Sequence, residues 1–219
     1  MTQLEATVDG RLSLTADPIA IIGAVCDTAE DLGGGIVIVR VSGTPAQAQT
    51  VELTVRLVSR WERVLRRLER LPVTTIAVAT GDCGGLALDT LLATDYRIAA
   101  DSVRLVVPVT AGATWPGMAL YRLAKQAGAN SSIRVAALFG VPITASDAFD
   151  LGLLDEVTGD VASALTAVTA LAGSFAGPEV AIRRRLMFDA TALSFEDALG
   201  RHLAACDREL RRTTAAVPT

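Results

Sequence analysis

The sequence is poor in the residues that build metal centres and disulfide frameworks. It contains one histidine, His202, and three scattered cysteines, Cys26, Cys83 and Cys206. A multi-histidine metal site is therefore excluded, and a Ser-His-Asp triad would have to use His202 itself. Three widely spaced cysteines also argue against a disulfide framework and against a tetrahedral zinc site. We expect a protein without a bound metal.

Long apolar runs and an excess of positive charge are missing as well. No apolar run is long enough to span a bilayer, and the first ten residues are polar and charged rather than typical of a signal peptide. The net charge of −4 argues against a general nucleic-acid binder. Hydrophobic residues make up 51% of the 219 residues, which is enough for one large core. These features predict a cytoplasmic protein that binds neither membrane nor nucleic acid.

The order of the predicted elements is typical of an α/β protein with a helical end. We predict a hairpin over 4–15, a helix over 19–32 with Asp17 as N-cap and Pro18 at its first position, and a buried strand over 36–41. Next come an amphipathic helix over 47–70, a buried strand over 74–79, a helix over 86–94, and strands over 96–99 and 104–109. The remaining helices are predicted near 118–127, 131–139, 144–151, 160–174, 178–189 and 194–212. This pattern divides the chain into a core over 1–157, a helical arm over 158–212 and a disordered tail over 213–219.

The most informative segment is the turn between the strand over 74–79 and the helix that follows it. Gly81, Gly84 and Gly85 allow the backbone to turn tightly there, and the first N–H groups of the helix have no partner within the helix. The positive end of the helix dipole lies at the same place, so a phosphate or a developing oxyanion is stabilised there. The spacing matches neither GxGxxG nor a P-loop. A purely structural use of the glycines in a tight turn is the alternative.

The order of motifs around this turn resembles the crotonase (enoyl-CoA hydratase/isomerase) family. Residues 76–89 and 94–99 resemble its strand, glycine turn, helix and C-D-x-R-I-A pattern. Residues 116–123 resemble its P-G and Q-R-L segment, and residues 138–157 resemble its L-x-G and GLV segment. The resemblance covers about residues 36–212. It implies an α/β crotonase-like spiral of ββα units, with a C-terminal helical arm that drives assembly into a homotrimer or hexamer.

The resemblance also implies an acyl-CoA thioester as the substrate, with no separate cofactor. Two backbone N–H groups would hold the thioester carbonyl, one near the turn after Val41 and one at the start of the helix over 86–94. The implied catalytic backbone groups belong to Gly43, Gly85 and Leu86. The residues implied in binding the CoA thioester are Ser42, Thr44, Gly81 and Gly84. The turn after Val41 is shorter than the corresponding family loop, which predicts a reduced adenine site.

Hydratases of this family use two glutamates, and the resemblance places their counterparts on Asp89 and Val109. One carboxylate is thus shortened and the other is absent. Adding or removing water needs one group that takes a proton and one that gives it. We interpret Asp89 as a general acid or base whose pKa is raised by burial. The alternative is an aspartate that only stabilises the first turn of its helix.

Several neighbouring residues have a structural interpretation beside a functional one. Cys83 could be a nucleophile at a helix start, but a small buried cysteine is favoured. Asp82 fits a turn-forming role and Asp95 a role in binding local backbone. Trp115 and Met118 could line an acyl pocket, although packing in the core is the default for such side chains.

The short chain, the short turn and the missing glutamate together resemble one branch of the family. Its members are the small crotonase-like proteins of the 3,5-dihydroxyphenylacetyl-CoA (dihydroxyphenylglycine) pathway of glycopeptide antibiotic producers. This implies a protein that works with a type III polyketide synthase and other crotonase-like proteins, and assists dehydration and aromatisation of a polyketide thioester. The alternative is a catalytically degenerate protein that binds and activates the synthase, with the arginines of the helix over 47–70 as a basic face.

Overall fold

The computed structural model describes residues 2–46, 53–175 and 178–215. The strands are β1 (Gln3–Asp9), β2 (Ile36–Gly43), β3 (Thr74–Gly84), β4 (Tyr96–Ala100), β5 (Arg104–Val106), β6 (Val109–Thr110), β7 (Ala113–Thr114), β8 (Ile143–Thr144) and β9 (Glu156–Thr158). The helices are α1 (Ala16–Leu32), α2 (Val55–Leu68), α3 (Leu86–Leu91), α4 (Met118–Ala127), α5 (Ser131–Phe139), α6 (Ala145–Asp150), α7 (Val161–Gly173), α8 (Pro178–Ala190) and α9 (Phe195–Ala215). Within these ranges, no helix has both the length and the apolar character that crossing a membrane requires.

A parallel sheet forms the centre of the fold. Its strands lie in the order β1-β2-β3-β4-β9, and each neighbouring pair is parallel. β5 pairs with the end of β3 and, in the antiparallel sense, with β8. The runs 36–39 and 76–79 are buried throughout, as expected for parallel strands that are covered on both faces. The two central strands predicted from these runs are confirmed.

Helices cover the two faces of the sheet. Val37 and Val39 pack in one apolar layer with residues of α1, α2 and α3. Ile36 and Ile38 point to the other face, where they pack with Val168 and its neighbours in α7. The first helix of the predicted C-terminal arm, α7, therefore lies directly against the sheet.

The predicted N-terminal hairpin is wrong. β1 pairs in parallel with β2, and residues 11–15 do not form a strand. The Asp9 carboxylate accepts a hydrogen bond from the backbone N–H of Arg11 at 2.9 Å, and the N–H of Gly10 donates to the Ser42 carbonyl at 2.8 Å. These bonds direct the chain across the end of β2, so that it does not return along β1.

The predicted start of the first helix is also corrected. Thr15 is the N-cap of α1, and its hydroxyl accepts a hydrogen bond from the N–H of Asp17 at 3.3 Å. Asp17 and Pro18 consequently lie inside the first turn. An acidic residue is favourable there because it faces the positive end of the helix dipole.

The long amphipathic helix begins later than predicted. Thr54 caps α2, and residues 53 and 54 are not helical, whereas residues 47–52 lie outside the described residues. Val55, the first residue of α2, is 87% exposed although it is apolar. Trp61 and Leu65 are buried instead and attach the helix to the core. This burial brings the side of α2 that carries Trp61 toward α3.

A buried arginine attaches α8 to the core. Arg184 donates hydrogen bonds to the carbonyl oxygens of Leu71 at 2.6 Å and Val73 at 2.8 Å, and it forms a 2.5 Å ion pair with Asp95. Asp95 also accepts a hydrogen bond from the N–H of Thr75 at 2.9 Å, which confirms its predicted structural role. α9 continues to residue 215, beyond the predicted end at 212, and residues 216–219 lie outside the described residues.

The carboxyl ends of β1, β2 and β3 approach one another so closely that Gly10 has no room for a side chain. A Cβ at Gly10 would lie 2.2 Å from the carbonyl oxygen of Gly43 and 2.3 Å from that of Gly84. We expect Gly10→Ala to lower the free energy of unfolding by about 1–3 kcal/mol, because backbone atoms must move. Gly34→Ala is the control, since a Cβ there meets no atom of the described residues within 4 Å. Urea unfolding measures both variants, and equal stability would contradict this packing.

Candidate active site

A small pocket lies where α3 begins, at the carboxyl end of the sheet. It has a volume of about 80 Å³. Gly85, Leu86 and Asp89 line it from the start of α3, and Trp61 and Glu62 line it from α2. Most of the other lining side chains are apolar, among them Leu12, Leu14, Val58, Pro108 and Trp115. The segment that fails to form a hairpin thus contributes leucines to this wall.

Asp89 is the central polar group of the pocket. The indole Nε1–H of Trp61 donates a hydrogen bond to its Oδ2 atom at 3.1 Å. Burial raises the pKa of Asp89 to about 7, and the nearby charge of Glu62 adds to the increase, whereas the Trp61 hydrogen bond and Arg122 oppose it. Asp89 therefore carries a proton in a large fraction of molecules near neutral pH, the state that a general acid needs.

The backbone at Gly85 adopts a conformation that favours glycine. Gly85 is the N-cap of α3 with a φ of 52°, and a Cβ there would lie 3.3 Å from Pro45 Cδ. Because glycine has no capping side chain, the first N–H groups of α3 depend on other partners. Leu86, the first residue of α3, lies at the pocket wall with Gly85. A thioester oxygen in this pocket could accept a hydrogen bond there.

The turn after β2 packs against the two glycines that precede α3. Thr44 packs against Gly84, where a Cβ would lie 2.3 Å from Thr44 Oγ1, and Pro45 packs against Gly85. Pro45 lines the pocket, but proline has no N–H to donate. Among the described residues, the start of α3 is therefore better placed than the turn after β2 to donate a hydrogen bond to an oxyanion in the pocket.

The other predicted site residues, the catalytic backbone group at Gly43 and the four binding residues, lie at the strand ends and are not part of the wall that the described residues form around the pocket. Gly43 has a φ of 94° and pairs with Cys83 beyond a bulge in β2. Ser42 and Gly81 are neighbours, since a Cβ at Gly81 would lie 3.7 Å from that of Ser42. In the described part of the chain, the pocket wall includes none of Ser42, Gly43, Thr44, Gly81 and Gly84. The structure thus brings Gly85, Leu86 and Asp89 together and leaves these five behind them.

Val109 is not among the described residues that line the pocket with Asp89. It lies in the short β6–β7 hairpin and is 41% exposed, beside Gly140. Its predecessor, Pro108, lines the pocket. The carboxylate that shares the pocket with Asp89 is Glu62 of α2, which no sequence motif indicated.

Glu62 belongs to a buried charge network. It forms a 2.9 Å ion pair with Arg122, and the Nε–H of Arg122 donates a 2.8 Å hydrogen bond to Glu69. Burial raises the pKa of Glu62, although Arg122 opposes the increase. Arg122 belongs to the segment that resembles the family's Q-R-L motif, so the motif indicated this arginine but not its carboxylate partners.

Other candidate residues take structural positions. Cys83 is fully buried, which confirms the favoured interpretation as a small buried cysteine, and burial raises the pKa of its thiol to about 12. Asp82 forms a 2.5 Å ion pair with Arg104 on the surface of the sheet's end. His202 is exposed on α9.

A larger groove lies on the other side of Glu62. It has a volume of about 1120 Å³ and runs between α2, α4, α7 and α8. Met118, predicted as a possible acyl-pocket residue, lines this groove, whereas Trp115 lines the small pocket. Glu62 borders both spaces.

The raised pKa of Asp89 predicts a pH-dependent stability. The ordinary pKa is 3.8 and the folded value is about 7, so between these values the folded chain binds more protons than the unfolded chain. The free energy of unfolding therefore decreases as pH rises from 4 to 7, by up to about 1.4 kcal/mol per pH unit, and levels off above 7. Asp89→Asn removes this contribution. The free energy of unfolding of the variant minus that of the wild type should therefore become more positive when the pH is raised from 5 to 8. Urea unfolding of both proteins at pH 5 and pH 8 tests this. The same stability difference between variant and wild type at the two pH values would contradict a raised pKa of Asp89.

Comparison with known proteins places this geometry in a family. The family model for enoyl-CoA hydratase/isomerase matches residues 42–214. An enoyl-CoA hydratase of Amycolatopsis orientalis is 49% identical over 211 residues, which cover 96% of this chain and 97% of that relative.

Solved structures share the fold. An enoyl-CoA hydratase of Mycobacterium smegmatis has a TM-score of 0.80 at 18% identity, covering 94% of this chain and 87% of that chain. An enoyl-CoA hydratase/isomerase of Marinobacter aquaeolei has a TM-score of 0.79 at 15% identity, covering 95% and 88%. The predicted α/β crotonase fold is confirmed. With a matching family model and a close relative along nearly the whole chain, the protein belongs to the enoyl-CoA hydratase/isomerase family.

Proposed function

We propose that this protein catalyses the loss of water from an acyl-CoA thioester, and that its substrate is a polyketide thioester on the way to 3,5-dihydroxyphenylacetyl-CoA. The observation that carries the proposal is the position of Asp89. A carboxyl group with a pKa of about 7 lies in a small apolar pocket together with the start of α3 at Gly85 and Leu86. An acid and an oxyanion donor at one site are two of the elements that thioester dehydration needs, beside a base for the α-hydrogen.

The proposed reaction begins when the substrate carbonyl accepts a hydrogen bond at the start of α3. The N–H of Leu86 and the positive end of the α3 dipole stabilise the negative charge that develops on the thioester oxygen. A base at the pocket, a carboxylate or water, then takes the α-hydrogen as a proton and leaves an enolate. Asp89 donates its proton to the departing β-hydroxyl, which leaves as water. The apolar walls strengthen these interactions because they exclude solvent.

The polyketide substrate rests on the branch resemblance and on the departures from ordinary hydratases. Val109 stands where a hydratase glutamate is expected, and the turn after β2 is short. A six-membered ring that becomes aromatic supplies much of the driving force for dehydration. The reaction therefore does not depend on the pair of glutamates that ordinary hydratases use. The enoyl-CoA hydratase name of the Amycolatopsis orientalis relative supports water chemistry on an acyl-CoA.

We also propose that the chain acts as a homotrimer or hexamer beside a type III polyketide synthase. Members of the family commonly form oligomers. α8 and α9 expose large apolar side chains, with Met187 71%, Phe195 74% and Leu210 67% exposed. Burying such side chains against another subunit is favourable.

A second candidate function is activation of the synthase without chemistry. The exposed arginines on α2, namely Arg56, Arg60 and Arg63, favour it because they form a basic surface beside the pocket region. Under this alternative, the surface and not Asp89 determines the effect on the synthase.

A coupled assay with malonyl-CoA and the synthase separates the two functions. The yield of 3,5-dihydroxyphenylacetyl-CoA is compared for the wild type, Asp89→Asn and the triple variant Arg56→Ser, Arg60→Ser, Arg63→Ser. A stimulation that only Asp89→Asn abolishes supports the enzyme. A stimulation that only the triple variant abolishes supports the activator. Lack of stimulation by the wild type would contradict the polyketide assignment.

A further inference from the structure

We propose that Glu62 is the second proton-transfer group of the pocket, in place of the glutamate that is absent at Val109. The inference rests on the proposed dehydration but adds a residue to it. Glu62 comes from α2, whereas the family resemblance points only to the segment after β5. The two carboxyl groups would then act from different helices on one substrate.

The geometry of α2 fixes Glu62 beside Asp89. Its neighbour Trp61 is fully buried and donates the 3.1 Å hydrogen bond to Asp89 Oδ2, which ties this turn of α2 to α3. Glu62 and Asp89 line the same small pocket as Leu86. A thioester carbonyl held at Leu86 therefore has its α-carbon and β-hydroxyl within a space that both carboxyl groups border.

The charges around the pair assign a different role to each carboxyl group. Arg122 forms an ion pair with Glu62 at 2.9 Å, and such a pair favours the ionised form. Asp89 accepts its hydrogen bond from a neutral indole, in an apolar wall. The first proton taken up by the pair thus goes to Asp89, which leaves Glu62 as the base and Asp89 as the acid.

A purely structural role for Glu62 would be to neutralise Arg122. Arg122 already has Glu69, which accepts a 2.8 Å hydrogen bond from its Nε–H. Glu69 borders the larger groove but is not part of the small pocket's wall as described, whereas Glu62 borders both. Neutralising Arg122 does not require Glu62 to border the small pocket.

The Glu62 carboxylate takes the α-hydrogen as a proton, and the electron pair of the broken C–H bond forms the enolate whose oxygen is held at Leu86. This electron pair then becomes the new carbon–carbon π bond between the α- and β-carbons. The β C–O bond breaks toward oxygen, and the hydroxyl leaves with the Asp89 proton as water. The products are the unsaturated thioester, water, protonated Glu62 and ionised Asp89. Transfer of the proton from Glu62 to Asp89, directly or through solvent, restores the starting state.

The first test compares Glu62→Gln with Glu69→Gln, which removes the other carboxylate of the same arginine. Dehydration in the coupled assay should fall about 100-fold or more in Glu62→Gln, and remain within about threefold of the wild type in Glu69→Gln. Glu62→Asp keeps a carboxylate and should retain more activity than Glu62→Gln. Equal losses in Glu62→Gln and Glu69→Gln would overturn the inference, because Glu62 would then act only through Arg122.

A second readout does not depend on turnover. The chain has two tryptophans, Trp61 and Trp115, so a Trp115→Phe background leaves Trp61 as a fluorescent reporter of its Asp89 partner. Its titration midpoint should lie near pH 7 and move to lower pH in Glu62→Gln, because the neighbouring negative charge is removed. An unchanged midpoint would contradict the carboxyl pair, and the thermal midpoint of each variant verifies that it is folded.

The role of Glu62 and the proposed function can each fail without the other. If Asp89→Asn abolishes dehydration while Glu62→Gln stays within about threefold of the wild type, the proposed function stands and the role of Glu62 is wrong. If the wild type itself produces no dehydration while Trp61 still titrates with a midpoint that depends on Glu62, the carboxyl pair stands and the proposed reaction is wrong.

Discussion

Replacing Asp89 by asparagine is expected to lower dehydration of the acyl-CoA substrate by about 100- to 10,000-fold. Asparagine has nearly the same shape and can still accept the hydrogen bond from Trp61, but it carries no transferable proton. The loss should therefore appear in the maximal rate, with little change in thioester binding. Steady-state kinetics and direct binding of a non-reactive CoA thioester measure the two quantities separately.

Asp82→Asn is the matched control for this variant. Asp82 is also an aspartate near the end of β3, but its ion pair with Arg104 lies outside the small pocket. We expect it to retain the wild-type rate. A fully active Asp89→Asn enzyme would contradict the acid role and return Asp89 to the alternative of a helix-stabilising aspartate.

Replacing Leu86 by proline is expected to lower the maximal rate by about 100- to 1000-fold, the size of effect seen when one oxyanion donor is removed. Leu86 is the first residue of α3, a position where proline fits a helix because its fixed φ is helical and its missing N–H lacks an intrahelical partner in any case. The preceding residue is Gly85, which has no Cβ to clash with the proline ring. The helix should thus form while its donor is lost.

Leu86→Met separates the donor from the side chain. Methionine keeps the N–H and nearly the same volume, so its cost in stability should be below about 1.5 kcal/mol and its rate close to that of the wild type. Circular dichroism and thermal unfolding compare the folding of the two variants. Equal rates in the proline and methionine variants would show that the Leu86 N–H does not hold the thioester oxygen.

The elements that could be predicted from the sequence are those set by local signals. The β-branched run at 36–39 and the glycine at the start of α3 specify a buried strand and a tight turn with few alternatives. Within the predicted hairpin over 4–15, Asp9 and Gly10 form a turn signal that fits a hairpin as well as a chain that crosses a sheet edge. Contacts of Gly10 with Gly43 and Gly84, distant in sequence, decide between them.

The residues of the candidate site also divide into those that local sequence indicates and those that only the fold brings together. Asp89, Gly85 and Leu86 lie in one ordered motif, so a single segment was enough to indicate them. Glu62 lies 27 positions before Asp89 on a helix rich in arginine, and its neighbours suggested a solvated face. The available signal was Trp61, a large apolar residue on that helix, whose burial turns the adjacent Glu62 toward the pocket. The partner of Trp61 could not be read from local sequence.

Activation of the α-carbon of a CoA thioester is the chemistry that we propose for the pocket at the start of α3. Exchange of the α-hydrogens of phenylacetyl-CoA with deuterium from heavy water, followed by mass spectrometry, tests this without the synthase and without a leaving group. We expect the wild type to catalyse exchange, Leu86→Pro to lose about 100-fold or more of this activity, and Leu86→Met to retain it. Exchange at the same rate in the wild type and Leu86→Pro, or binding of the thioester by the wild type without any exchange, would contradict this proposal.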